Sequence, residues 1–98
     1  MGRRVFSFFT GLEGLNLRAL PTIDMAATGK NIARLREGVG LSVRALQALL
    51  GFTTPQAIYK WQRGESLPSI DNLAALAAVL DVRLDDIVIY QNEKEKSL

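Results

Sequence analysis

Gln56, Tyr59, Lys60 and Arg63 fall within eight consecutive positions, at offsets i, i+3, i+4 and i+7. Those offsets place all four on one face of an α-helix. The chemistry of such a face is hydrogen bonding rather than bond making. A Gln amide donates and accepts at once, Lys and Arg supply donors and charge, and Tyr adds an amphipathic ring. The usual tools of catalysis are missing, because the chain contains no His and no Cys. That removes the commonest general base, the commonest zinc ligand and any thiolate site. There is no phosphate-cradling glycine loop and no nucleophile–base pair. Asp81, Asp85 and Asp86 come nearest to a metal cluster. They lack the alternating oxygen ligands and glycine of a calcium loop, and Asp85 and Asp86 read better as charges at a helix N-terminus. The expectation is a binding protein with no catalytic residue, no metal and no cofactor.

A donor-rich face is useful only if the helix beneath it is held firmly. Ile58 and Trp61 lie three residues apart, away from the polar face, and the spacing makes both of them core anchors. Trp61 is therefore read as packing rather than as a platform for stacking a base. Upstream, Ser42 can N-cap a helix over residues 43–50, with Leu46 and Leu50 at four-residue spacing. Gly51 ends that helix and permits the tight turn that follows. Thr54 and Pro55 read as a cap and first-turn pair for a helix over residues 55–63, stopped by Gly64. Two helices joined by a short turn, the second carrying long donors outward, fit the major groove of duplex DNA.

The remaining elements support that pair. A first helix is expected over residues 26–37, with Ile32 and Leu35 on one face and Gly38 and Gly40 ending it. A fourth, opened by Pro68 and Ser69, carries the stripe Leu73, Leu76, Ala77 and Leu80, and a fifth over residues 84–90 carries Leu84, Ile87 and Val88. Residues 91–98 read as a charged, frayed tail. Residues 1–24 look different: three of the four Phe, no helical period, and Pro21 near their end. They read as a poorly ordered extension, a start-site artefact, a cloning remnant or an arm, with the domain over residues 25–90. The apolar run at residues 5–9 is too short for an export signal and no run is long enough to span a membrane, so a cytoplasmic location is expected. Charge is uneven. Residues 25–64 hold six cations against Glu37 alone, a net of +5, whereas residues 65–98 hold three against seven acids, a net of −4. A basic half beside an acidic half fits a face that meets a polyanion.

The ordered elements "NIARLRE", "GLS", "LLGF", "AIYKWQRG", "LPSIDNLAALAAVLDV" and "LDDI" together resemble the Cro/C1-type (XRE-like) helix-turn-helix family. The resemblance implies an all-α, five-helix, lambda-repressor-like domain with its helix-turn-helix at helices two and three. It implies helix three as the recognition helix and a homodimer on a near-palindromic operator in double-stranded DNA. On that pattern Gln56, Tyr59 and Lys60 would touch bases, and Ser42, Arg44, Thr54 and Arg63 would touch phosphates. Leu46, Leu50, Gly51, Ile58 and Trp61 would form the structural core of the motif. Tyr59 has two readings, packing over a sugar or thymine methyl or simply covering the helix. Lys30 and Arg34 read as part of the general positive field.

The chain departs from the family pattern at three positions. Val43 and Gln47 stand where many members carry Gln and Ala, and Gln62 stands where many carry a Glu paired with an Arg at the position of Arg36. Gln47 must then be accommodated near the turn or help bind a neighbour's backbone, and Arg36 should meet Gln62 through a charge–dipole hydrogen bond. The function expected is that of a small bacterial or phage transcriptional regulator, a repressor. The alternative is an antitoxin, or another protein-binding module on the same fold, with a toxin as partner. Dimerisation is expected through the C-terminal part, where Leu84, Val88, Ile89 and Tyr90 offer an apolar patch, with residues 5–9 as the rival surface.

Overall fold

Residues 21–92 are described by a computed structural model. Among them are five helices: α1 (Met25–Gly38), α2 (Val43–Leu50), α3 (Gln56–Gln62), α4 (Ile70–Leu80) and α5 (Leu84–Ile87). Two three-residue strands, β1 (Pro21–Ile23) and β2 (Tyr90–Asn92), pair into a small sheet. All five helices belong to one compact unit, Ile23–Ile89.

Each long helix begins at a side-chain oxygen that takes up one of its free amides. Asp24 Oδ1 accepts from the Ala27 amide at 2.9 Å, Ser42 Oγ from Ala45 at 3.0 Å and Ser69 Oγ from Asn72 at 3.2 Å. Each such cap contributes about 1 kcal/mol. Helices α2 and α4 end at a left-handed residue. Gly51 closes α2 at φ 75°, and the amides of Gly51 and Phe52 reach back to the carbonyls of Ala48 and Gln47. Asp81 does the same for α4 at φ 58°, the sole non-glycine at positive φ among the described residues.

The core is contributed by every helix: Ile32, Leu46, Ile58, Trp61, Leu76, Ala77, Leu80 and Ile87. Helix α1 packs on α3 and α5, and α4 packs on α2 and α5. The motif residues Leu46 and Ile58 are fully buried, Trp61 is nearly so, and Leu50 is half-buried against the cluster. Loss of one of the fully buried Ile or Leu side chains to Ala would cost about 2–5 kcal/mol.

Several boundaries differ from expectation. Helix α5 stops at Ile87 instead of running to residue 90, and Val88 is already extended at φ −83°, ψ 127°. The run Ile87-Val88-Ile89-Tyr90 is β-branched and aromatic, which favours extended backbone. Gln91 and Asn92, expected to fray, belong to β2. Helix α3 starts at Gln56: Pro55 sits at its N-cap with no side-chain cap bond, while Thr54 Oγ1 accepts from the Gln56 amide at 3.4 Å. The segment expected to precede the domain supplies β1 and the cap of α1. Its residues 1–20, the rival dimer surface at residues 5–9 and the tail beyond residue 92 lie outside the described residues.

Candidate nucleic-acid interface

Helix α3 is held from beneath and behind. Ile58 and Trp61 point into the core, and Phe52 of the turn meets Trp61 edge-on, ring centroids 5.8 Å apart at 70°. Gln47 is accommodated at the turn, where its Nε2 donates to the carbonyl of Phe52 at 3.2 Å. The larger side chain at this position thus ties α2 to the turn.

Helix α1 presses on the far end of α3. Gly29 lies in the middle of α1 and is buried, and a Cβ there would overlap the carbonyl oxygen of Trp61 and stand 2.8 Å from that of Gln62. Gly64, at φ 76°, brings its Cα to Ala26, where an added Cβ would lie 2.9 Å from the Ala26 Cα. Across the same contact Arg36 Nε donates to Gln62 Oε1 at 3.0 Å and Nη1 to the Leu41 carbonyl at 2.8 Å. Arg36 and Gln62 do meet, as expected from the departure at Gln62. Asn31, also buried on α1, donates to the carbonyls of Asp86 and Ile87 at 2.7 and 3.0 Å, and its Oδ1 accepts from Arg34.

The outer face of α3 is open. Gln56, Tyr59, Lys60 and Arg63 are exposed and together line one shallow depression of about 360 Å³. The structure therefore brings together the three expected base-reading residues and one expected phosphate contact. Ser42 and Arg44, at the exposed start of α2, and Thr54, in the turn, lie outside that depression. Ser42 Oγ is engaged as the cap of α2. Lys30 and Arg34 line a second shallow depression, with Ala27, Asn31 and Ile89.

One residue beside the face, Glu65, escaped the sequence reading. Arg63 Nε donates to Glu65 Oε2 at 2.5 Å and Nη2 to Oε1 at 3.3 Å, a two-pronged pair in which both side chains are about half exposed. Hydrogen bonding to Arg63 holds the Glu65 carboxyl below its ordinary range, and the Arg63 and Lys60 charges lower it further. The Arg63 guanidinium is held still more firmly protonated by the same bond. The signal was the triplet Arg63-Gly64-Glu65, since only a tight turn at the glycine brings the two side chains together. Asp86, considered above as a possible metal ligand, has Oδ2 on the Arg83 amide at 2.9 Å, a helix-start role. No group of three acidic side chains is placed to hold a metal ion among the described residues.

Two helices joined by a short left-handed turn, the second anchored inward and bare outward, define a helix-turn-helix domain. The helix-turn-helix family model matches residues 32–87, more than half of the chain, and the chain belongs to that family in its Cro/C1-type form. Among solved structures it is similar to the restriction-modification controller protein C.AhdI from Aeromonas hydrophila. That likeness has 28% identity and a TM-score of 0.60, and covers 65% of this chain and 96% of that one. The DNA-binding domain of BldD shares the fold at 18% identity and a TM-score of 0.58, over 66% of this chain and 93% of that domain. Hydroxypropylphosphonic acid epoxidase from S. wedmorenis matches at 26% identity and a TM-score of 0.60, over 66% of this chain but 34% of the enzyme. No curated protein sequence matches the chain.

Proposed function

We propose that this chain is a transcriptional regulator, a repressor, that binds double-stranded DNA sequence-specifically by laying α3 in the major groove. The observation that carries the reading is the outer face of α3, four long donor side chains over one depression, backed by the buried anchors Ile58 and Trp61. Gln56 sits in the first turn of α3 and matches the N6/N7 edge of adenine, and Lys60, one turn on, offers donors to guanine O6 or N7. Tyr59, 42% exposed, covers the face between them. Ser42, Arg44, Thr54 and Arg63 are the phosphate contacts of this reading, fixing register without reading sequence.

The likeness to a restriction-modification controller protein supports regulation, and that to a DNA-binding domain supports the ligand. The match to an epoxidase covers about a third of that enzyme and carries no chemistry over to a chain without His or Cys. We read the domain as non-catalytic, working in the cytoplasm where its DNA is. One such module makes few base contacts, so two copies on a near-palindromic operator are required for a specific site. The α5 end is the proposed dimer surface, with Leu84 at 42% exposure and Val88 and Ile89 half-buried.

Selection of bound duplexes from a random pool tests the reading. A two-fold motif with half-sites about one helical turn apart is expected. Failure to enrich any duplex would overturn it. A small protein co-purifying with a chain that selects no DNA would favour the antitoxin reading instead. Sedimentation of the full chain and of one starting at Met25 tests dimerisation, and monomers in both cases, even on DNA, would sink it.

A further inference from the structure

Glu65 is the acidic side chain joined to the α3 face, and the geometry gives it a task. We propose that Glu65 is a built-in counter-ion for Arg63, which sets how strongly this face holds DNA backbone of any sequence. The proposal rests on the reading of α3 as the DNA-facing helix.

The pairing is built by the backbone rather than by two long side chains meeting at random. Gly64 turns the chain at φ 76°, and the Glu65 amide returns to the Lys60 carbonyl at 2.9 Å. That return sets the carboxylate against the guanidinium, using Nε and Nη2 and leaving Nη1 outside the pair. Arg63 also lines the depression with Gln56, Tyr59 and Lys60. The bridge therefore stands at the edge of the surface that meets the duplex. The hydrogen bond to Arg63, and after it the charges of Arg63 and Lys60, hold the Glu65 carboxyl below its ordinary range, in keeping with that placement.

Backbone affinity comes from cations that release counter-ions when they neutralise phosphates. A guanidinium already neutralised by its own carboxylate releases little, and the carboxylate stays behind to oppose the phosphate. The penalty is the same for every sequence, because every sequence has phosphates there. Base discrimination by Gln56 is left alone. Glu65 thus loosens the hold on operator and irrelevant DNA alike, and leaves the ratio between them to the base contacts.

Binding isotherms across a salt series, on the selected operator and on a scrambled duplex, test this with full-length parent, Glu65→Gln, Arg63→Ala and the double variant. Glu65→Gln should raise affinity for both duplexes by the same factor, up to about fivefold per half-site near physiological salt, and steepen the salt slope by up to ~0.9 per half-site. Arg63→Ala should change the slope far more in the Glu65→Gln background than in the parent. An unchanged or weakened affinity in Glu65→Gln, or an equal gain with and without Arg63, overturns the proposal. Lys60→Ala separates the two levels of the reading. If it lowers the slope while Glu65→Gln does nothing, the counter-ion role alone falls. If both leave binding of scrambled duplex untouched, the α3 reading falls with it.

Discussion

Gly29 and the carbonyl of Trp61 touch, backbone to backbone, with no room between them for a methyl group. This contact lets α1 lie directly across the end of α3, close enough for Arg36 to reach Gln62. A glycine in a helix interior costs roughly 1 kcal/mol of helix stability. Here that cost secures the seating of the helix that carries the DNA-facing side chains.

Gly29→Ala should therefore destabilise the domain by about 3 kcal/mol, the upper part of the range for overpacking, since the obstructing atoms are backbone and do not rotate away. Gly38→Ala is the control: nothing lies within 4 Å of an added Cβ, and its φ is not in the left-handed range. It should be neutral or stabilising by up to ~1 kcal/mol. Urea unfolding of the two variants checks both, and a Gly29→Ala protein as stable as the parent would show that the helices stand further apart.

Gln62→Glu should strengthen the tie between α1 and the end of α3. The Arg36 side chain is 11% exposed and donates its Nε to Gln62 Oε1. A carboxylate there replaces a charge–dipole bond with a charge-assisted one. A gain of about 0.5–1 kcal/mol is expected, shrinking at high salt. Thermal melts at two ionic strengths measure it, and a loss of stability at low salt would rule the partnership out.

Gln56→Ala should cost roughly 1–3 kcal/mol on the selected operator and flatten the preference at one base pair per half-site. Because Gln56 is exposed and its side chain holds nothing in the fold, stability should not change. Retention of full discrimination by a folded Gln56→Ala protein would move the reading surface away from α3.

Glu65 should titrate below the ordinary carboxylate range and return to that range in Arg63→Ala, because the hydrogen bond to Arg63 is the main cause of the shift. A carboxyl depressed in the folded state adds stability above the ordinary range, and that stability is lost as pH falls through the lowered value. With both side chains solvent-exposed the effect on stability is slight, so the Glu65 carboxyl carbon shift, followed by NMR against pH, is the measurement. An ordinary midpoint in the parent would mean that the bridge does not persist in solution.

What was legible in the sequence follows from how each feature is encoded. Ile58 and Trp61, Leu46, and the stripe from Leu73 to Leu80 repeat at helical spacing, so the helices and their buried faces could be read directly. The face from Gln56 to Arg63 was legible for the same reason. Features made by distant segments left no period to read. Strands β1 and β2 are three residues each and come from opposite ends of the described chain. The overrun of α5 had a visible warning in its β-branched residues, outweighed by the apolar spacing of Leu84, Ile87 and Val88. Gly29 carried a signal too, a glycine inside a helical pattern that marks a close approach. Asn31 carried none, because its partners are backbone carbonyls 55 and 56 positions away.

The contacts that α1 and Gly64 make with α3 lie toward one end of it. Gly29, Gly64 and Arg36 grip it around Trp61 and Gln62, whereas the tip at Gln56 has only the long bond to Thr54 Oγ1. The helix is in effect a cantilever, clamped at its root, propped by the buried Ile58 and free only at its point, Gln56. Amide exchange should run as a gradient along it, slow at Trp61 and fast at Gln56. A duplex whose groove departs slightly from ideal width could then be met by bending the free end alone, while the root, and the spacing it sets between two bound copies, stays where it is.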